Sequence, residues 1–221
     1  MSKVTAIIAA AGSGRRFGSS KQFASLQGKS ILEWCLEAFG THPRIDEIVL
    51  VLPDEKQGQE LRSVHQKISA VVTGGEKRQD SVSKGFSRID PGRTDIVLIH
   101  DGARPLVTKD LIRRVIEKTE ESGAAIPVVP LDDTVKEAEG GQIVSTLDRS
   151  RLVSVQTPQG FAVELFKRAL EKARADGFFG TDDAALVERL GEKVYTVRGD
   201  PRNIKITSPR DIKIAEAFLD D

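Results

Sequence analysis

Val4-Thr5-Ala6-Ile7-Ile8-Ala9-Ala10-Ala11-Gly12-Ser13-Gly14-Arg15-Arg16 is the stretch that decides the fold. Its first half is a short, continuous apolar run, the mark of a strand buried on both faces. Its second half is three small residues, two glycines and two arginines, followed shortly by Lys21-Gln22-Phe23. Small residues and glycines let the chain turn tightly and bring backbone N–H groups close to phosphate oxygens. Arg15, Arg16 and Lys21 would supply cations around a polyanion. A tight strand-to-helix turn with solvated bases explains the glycines equally well on its own. Two familiar alternatives fail on spacing. The dinucleotide pattern G-x-G-x-x-G would need glycine where Phe17 stands, and no acidic residue follows at the usual offset. Gly28-Lys29-Ser30 resembles the end of a P-loop, but Phe23 occupies the position of its first glycine.

Outward from that stretch, β-rich runs alternate with segments of helical period. Glu47–Leu52, Ala70–Val72, Asp95–His100 and Ala124–Pro130 read as further strands. Ser30–Phe39, the segment after Thr108, the segment around Leu165–Ala173, and Pro209–Leu219 read as helices. Thr108 and Ser208 are their expected N-caps where one is evident. Buried strands separated by helices predict an α/β, mostly parallel sheet with helices on both faces. Ligands of such sheets sit beyond the carboxyl ends of the strands. Asp133 to Leu147 breaks the alternation with two β-type segments around Gly140-Gly141, a hairpin signal. An isolated hairpin is marginal in water, so packing against a second subunit is expected. The 221 residues read as one domain, with a β-arm at about 132–155.

Composition narrows the function classes. Lys plus Arg and Asp plus Glu both number 33, so no global field recruits nucleic acid or an acidic membrane. The single cysteine, Cys35, forms no internal disulfide, which fits a reducing, cytoplasmic setting. The first apolar run is shorter than the roughly 20 residues a membrane helix needs, and no signal-peptide layout precedes it.

Later strand ends carry the remaining chemistry. Gly74-Gly75-Glu76-Lys77-Arg78-Gln79-Asp80-Ser81 offers close backbone approach and a hydroxyl at a helix start. His100-Asp101-Gly102-Ala103-Arg104 places a carboxylate at a strand end, suited to Mg²⁺ held jointly with substrate phosphates. An Asp101–Arg104 ion pair locking the loop is the structural alternative. His100 reads as a packed histidine, since attack by a phosphate needs no proton removed. Asp148-Arg149 and Gln156-Thr157-Pro158-Gln159-Gly160 flank a short strand. Thr181 reads as an N-cap for Asp182-Asp183-Ala184, and Lys205 interrupts a short apolar strand, Asn203 to Thr207.

In order along the chain, AAAGSGRRFG with KQF, GGEKRQDSV, HDGARP, DDTVK, DRSRL, QTPQGF, TDDA and NIKIT resemble the 2-C-methyl-D-erythritol 4-phosphate cytidylyltransferases of the non-mevalonate isoprenoid pathway. The first loop is shared by many sugar-nucleotide pyrophosphorylases; the ordered set is specific. The resemblance implies a Rossmann-like domain with a projecting β-arm that makes a homodimer, and transfer of CMP from CTP to methylerythritol phosphate with Mg²⁺. It implies that Ala10, Ala11, Gly12, Ser13, Gly14 and Arg15 hold the triphosphate and part of the base. Gly75, Glu76, Ser81 and Gly102 would surround cytosine and ribose. Arg16 and Lys21 would stabilise charge at the α-phosphate, while Arg149 and Lys205 position the second substrate, Arg149 from the partner's side. Asp101, Arg104, Thr134, Thr157 and Thr181 align with substrate-pocket positions, and Asp101 with the metal ligand. Ala9 stands where many relatives have proline, and the loop before Lys21 is short. A ribitol-5-phosphate cytidylyltransferase is the alternative enzyme, disfavoured by Arg149 and Asp182. A non-catalytic nucleotide binder on the same fold is the alternative class.

Overall fold

The sheet grows from Val4–Ala9, which pairs in parallel with a neighbour on either side. The computed structural model describes residues 1–12 and 21–220. In chain order its strands are β1 (Val4–Ala9), β2 (Ser25–Leu26), β3 (Lys29–Ser30), β4 (Glu47–Leu52), β5 (Ile68–Thr73), β6 (Ile96–Asp101), β7 (Ala124–Pro130), β8 (Lys136–Glu139), β9 (Gln142–Thr146), β10 (Val153–Val155), β11 (Gln159–Ala162) and β12 (Tyr195–Arg198). The helices are α1 (Ile31–Gly40), α2 (Gln57–Val64), α3 (Arg78–Phe86), α4 (Lys109–Ser122), α5 (Val163–Ala175), α6 (Ala184–Arg189) and α7 (Pro209–Asp220).

The main sheet runs β10-β7-β11-β6-β1-β4-β5, with β12 on β7. Only β10 and β11 run against the rest, so the sheet is mostly parallel, as expected of a Rossmann-like fold. Side chains alternate between its two faces. Ala6, Ile8, Ile48, Leu50 and Leu98 pack with α1 and α4. Ile7, Val49, Val51, Val97 and Ile99 pack with α3, α5 and α6. Period-2 alternation on strands buried on both sides makes most central residues apolar, Thr5 and His100 being buried polar exceptions.

Helix ends follow their chemistry. Ser30 caps α1 in a reciprocal box with Glu33, and Thr108 accepts from the Leu111 N–H at the start of α4. At the start of α7, Asp211 in the first turn accepts from the N–H groups of Thr207 and Ser208. Thr181 departs from expectation. The helix begins at Ala184, and the Asp182 carboxylate accepts from Ala185 N–H instead. A charged acceptor three residues ahead of that N–H outcompetes a hydroxyl set back by one more. Residues 203–207 also differ, forming no strand; Ile206 N–H donates to Ala103 O. The expected hairpin is present as β8 and β9, turning at Gly140 and Gly141, both with positive φ. Its tip leaves Ile143 and Val144 more than half exposed. Among the described residues no helix is long and apolar enough to cross a membrane.

Candidate active site

Three loops leave the carboxyl ends of β1, β5 and β6 and press together. Ala10 N–H donates to Val51 O at 2.8 Å and Gly102 N–H to Ala9 O at 3.0 Å. A Cβ on Gly74 would stand 2.2 Å from the Ala11 Cβ, and one on Gly102 would stand 2.8 Å from the Ala10 Cβ. Both positions therefore need glycine for close approach. A cleft of about 380 Å³ opens on these loops, bordered by Ala10, Ala11, Gly12, Gly75, Glu76 and Gly102, with Lys21 and Ser81. The Ser81 hydroxyl accepts from Gly75 N–H at 3.0 Å and donates to Lys77 O at 3.2 Å. It thus fixes the β5–α3 turn as well as facing the cleft. Lys21 Nζ donates to Ile206 O at 3.0 Å.

Asp101 lies at the end of β6 and gathers charge. Its Oδ1 accepts from Arg78 Nε at 2.8 Å and its Oδ2 pairs with Lys205 Nζ at 2.7 Å. Arg78 reaches on to Asp183 Oδ2 at 2.7 Å. Burial alone would raise the Asp101 carboxyl, but the charges of Arg78 and Lys205 outweigh it and hold the group well below the usual range. Asp183 is fully enclosed, and burial pushes its carboxyl up against the pull of Arg78. Burial works against the Arg78 charge too, yet Asp183 and Asp101 together raise its guanidinium. Arg104 stands 3.9 Å from Asp101 and spends its stronger bond on Asn203 O at 2.8 Å. It locks the loop, as expected, but through a carbonyl more than through the carboxylate.

A second cleft, of about 450 Å³, lies on the far side of this cluster, with Arg104, Thr157, Thr181 and Asp182 on its wall. The two clefts share Arg78, Asp101 and Lys205. Thr157 is buried: its Oγ accepts from Asp101 N–H at 3.1 Å and lies 3.1 Å from His100 Nδ1. The remaining His100 nitrogen is 3.2 Å from Arg104 O. Burial pushes the His100 imidazole down to about 3, so it is a neutral, packed ring, as the sequence reading has it. Gln159 holds the second cleft's loop from the sheet side. It donates to Asp182 and accepts from the N–H groups of Asp183 and Ala184.

The structure therefore brings together Ala10, Ala11, Gly12, Lys21, Gly75, Glu76, Ser81, Asp101, Gly102, Arg104, Thr157, Thr181 and Lys205. It places Thr134 and Arg149 elsewhere, exposed at the base of the arm, where Arg149 donates to Asp132 O. Ser13, Gly14, Arg15 and Arg16 lie outside the described residues. Sequence reasoning missed Arg78 and Asp183. Arg78 sits inside the quoted GGEKRQDSV, yet its partners are 23 and 105 residues away, and spacing gives no sign of them.

Among the described residues no three His, Cys, Asp or Glu side chains cluster as a metal site. Asp101 alone still fits Mg²⁺, which commonly takes one or two carboxylates with phosphate oxygens. It is held ionised at the junction of both clefts, beside a Lys205 side chain that is 39% exposed.

Fold and site place the chain among the α/β nucleotidyltransferases. A sequence model of the 2-C-methyl-D-erythritol 4-phosphate cytidylyltransferase family matches residues 4–221. The enzyme of that name from Syntrophus aciditrophicus is 46% identical over 225 residues, 98% of this chain and 96% of its own. That from Geotalea uraniireducens is 42% identical over 225 residues, covering 98% and 97%. The crystal structure of the Thermus thermophilus enzyme superposes with a TM-score of 0.84 at 34% identity, covering each chain completely. The chain belongs to the 2-C-methyl-D-erythritol 4-phosphate cytidylyltransferase family.

Proposed function

We infer that the protein transfers CMP from CTP to 2-C-methyl-D-erythritol 4-phosphate, giving CDP-methylerythritol and pyrophosphate. The observation that carries the reading is the shared wall of the two clefts, where Arg78, Asp101 and Lys205 stand between a glycine-lined pocket and a polar one. The glycine-lined cleft takes the nucleotide. Its backbone groups at Gly75 and Gly102 would read the pyrimidine and ribose, and those of Ala10 to Gly12 would take the triphosphate. The polar cleft takes the sugar phosphate, through Arg104, Thr157 and Thr181.

The reaction is in-line attack of the sugar phosphate on the α-phosphorus, with pyrophosphate leaving. Two polyanions must approach, and at 4 Å each pair of unit charges costs about 4 kcal/mol at an effective dielectric of 20. Lys205 and Lys21, the latter bonded to the Ile206 carbonyl one residue along, lower that repulsion, and Arg16 is assigned the same role. Positioning does the rest, since a phosphate nucleophile needs no general base. Asp101 with the triphosphate oxygens would hold Mg²⁺, which when bound neutralises charge on the leaving pyrophosphate. We also read the chain as one domain acting in the cytoplasm. Its homodimer forms through the arm, with Arg149 and Thr134 serving the partner's sugar-phosphate cleft. The exposed Ile143 and Val144 and the position of Arg149 on the arm support that assembly.

The test is pyrophosphate release on incubation with CTP, Mg²⁺ and each candidate acceptor. Release with methylerythritol phosphate, and little with ribitol 5-phosphate or with ATP in place of CTP, is the expected result. Faster release with ribitol 5-phosphate would overturn the assignment of the second cleft.

A further inference from the structure

Three consecutive residues at the start of α3 grip one loop. Lys77 Nζ lies 3.2 Å from the centroid of the Phe179 ring. Arg78 pairs with Asp183 at 2.7 Å. Gln79 makes a two-way bond: its Nε2 donates to Phe178 O at 3.0 Å, and its Oε1 accepts from Gly180 N–H at 3.0 Å. A glutamine amide carries donor and acceptor in one plane, so it meets an exposed carbonyl and N–H of a loop much as a neighbouring strand would.

The loop so held, residues 178–183, carries Thr181 and Asp182 into the second cleft. The residues that hold it belong to the turn whose Gly75, Glu76, Lys77 and Arg78 wall the first. Gln159 tethers the same loop at Asp182, Asp183 and Ala184, but from β11, a strand that does not line the first cleft. The Gln79 amide therefore ties the two clefts together without facing either reacting phosphate. We propose that Gln79 is a positioning residue for the acceptor substrate, coupling the nucleotide-side turn to the loop that presents Thr181 and Asp182. Nucleotide in the first cleft then orders the wall of the second through this amide. The proposal rests on the assignment of the second cleft to the sugar phosphate.

The test uses the full chain with Gln79→Leu, which loses both bonds, and Gln79→Glu, which keeps the acceptor and sets a carboxylate against Phe178 O. Loss of two hydrogen bonds corresponds to about a tenfold rise in KM for methylerythritol phosphate. Turnover at saturation and CTP affinity by calorimetry should stay within about threefold of the parent, below the scale of a lost hydrogen bond to a charged group. Amide exchange gives the second readout. In the parent protein CTP should slow exchange in residues 178–183, and in Gln79→Leu that response should be lost at Gly180, whose N–H loses its acceptor, while the Arg78–Asp183 pair still holds the far end of the loop. Parental KM for the acceptor, a parallel loss of CTP affinity, or an intact exchange response in Gln79→Leu each overturns the proposal. Thr181→Ala separates the two readings. If it raises the acceptor KM while Gln79→Leu does not, only the coupling falls; if it leaves KM unchanged, the cleft assignment falls and the coupling with it.

Discussion

The carboxyl edge of the sheet and the β8–β9 arm solve opposite problems. At the edge, Asp101 is 7% exposed, and each of its carboxylate oxygens has a cation within 2.8 Å. A helix start, a distant loop and the loop after β6 supply the cations around that one side chain. In the arm, Ile143 and Val144 are 64% and 58% exposed on a two-stranded hairpin. Such a hairpin has little of its own to hold it in water. The Asp101 cluster is built from side chains of this one chain, whereas the arm leaves Ile143 and Val144 exposed. Chemistry placed on the first should be local, and chemistry placed on the second should depend on assembly.

The largest effect is expected at the edge. Lys205→Ala should lower turnover by about 10²- to 10³-fold, the scale for removing one preorganised group facing developing charge. Pyrophosphate release measures it, and CTP binding should remain detectable. A turnover within a few-fold of the parent would detach Lys205 from the reaction. Arg149→Ala, on the arm, should lose about 10²-fold by the same reasoning, but with a signature the edge variant lacks. Mixed and re-equilibrated with Lys205→Ala, it should recover about a quarter of parental activity. Half of randomly formed dimers are mixed, and one of their two sites then has both residues intact. No recovery from two inactive partners would place Arg149 in its own chain's site. Ile143→Asp with Val144→Asp should shift sedimentation from dimer to monomer, since charge on a buried apolar contact is costly. Activity should fall with it, because Arg149 would lose its site.

The contrast also explains what the sequence made legible. β1, β4 and β7 coincide with the apolar runs Val4–Ala9, Glu47–Leu52 and Ala124–Pro130, because burial on both faces leaves an unbroken apolar signature. Gly140-Gly141 announced the hairpin because its turn requires positive φ. Asp101 was readable as a carboxylate at a strand end, and Lys205 as a charge inside an apolar run. Lys205 was nonetheless misplaced on a strand, since Ile204 and Ile206 alternate with it and mimic one; they pack instead in the small cluster with Leu26, Ile31 and α7. Arg78, Asp183 and Gln79 were not readable in role. Each acts across 100 residues or more of chain to a partner that only the fold supplies. The family resemblance supplied the named substrates, which neither glycine spacing nor charge could.

The smallest effect sharpens the picture of the edge as a set of fixed, neutral and charged groups. The Thr157 hydroxyl takes Asp101 N–H and faces His100 Nδ1, while the other ring nitrogen faces the Arg104 carbonyl. A hydroxyl donating to Nδ1 and an Nε2–H donating to the carbonyl fit a neutral ring. Burial holds that ring at about 3, whereas in the unfolded chain it titrates near 6.5. The folded pKa is the lower one, so the unfolded state binds the extra proton first, and stability is lost as pH falls from about 6.5 toward 3. Between pH 7.5 and 5.5 this one group should cost on the order of 1 kcal/mol, read by urea unfolding. His42 and His65 are lowered by burial too and add in the same direction. His100→Gln, which cannot titrate, should therefore shrink the loss without abolishing it. An undiminished pH dependence in that variant would mean that His100 already carries a proton in the folded state, and that the Thr157 hydroxyl points away from it.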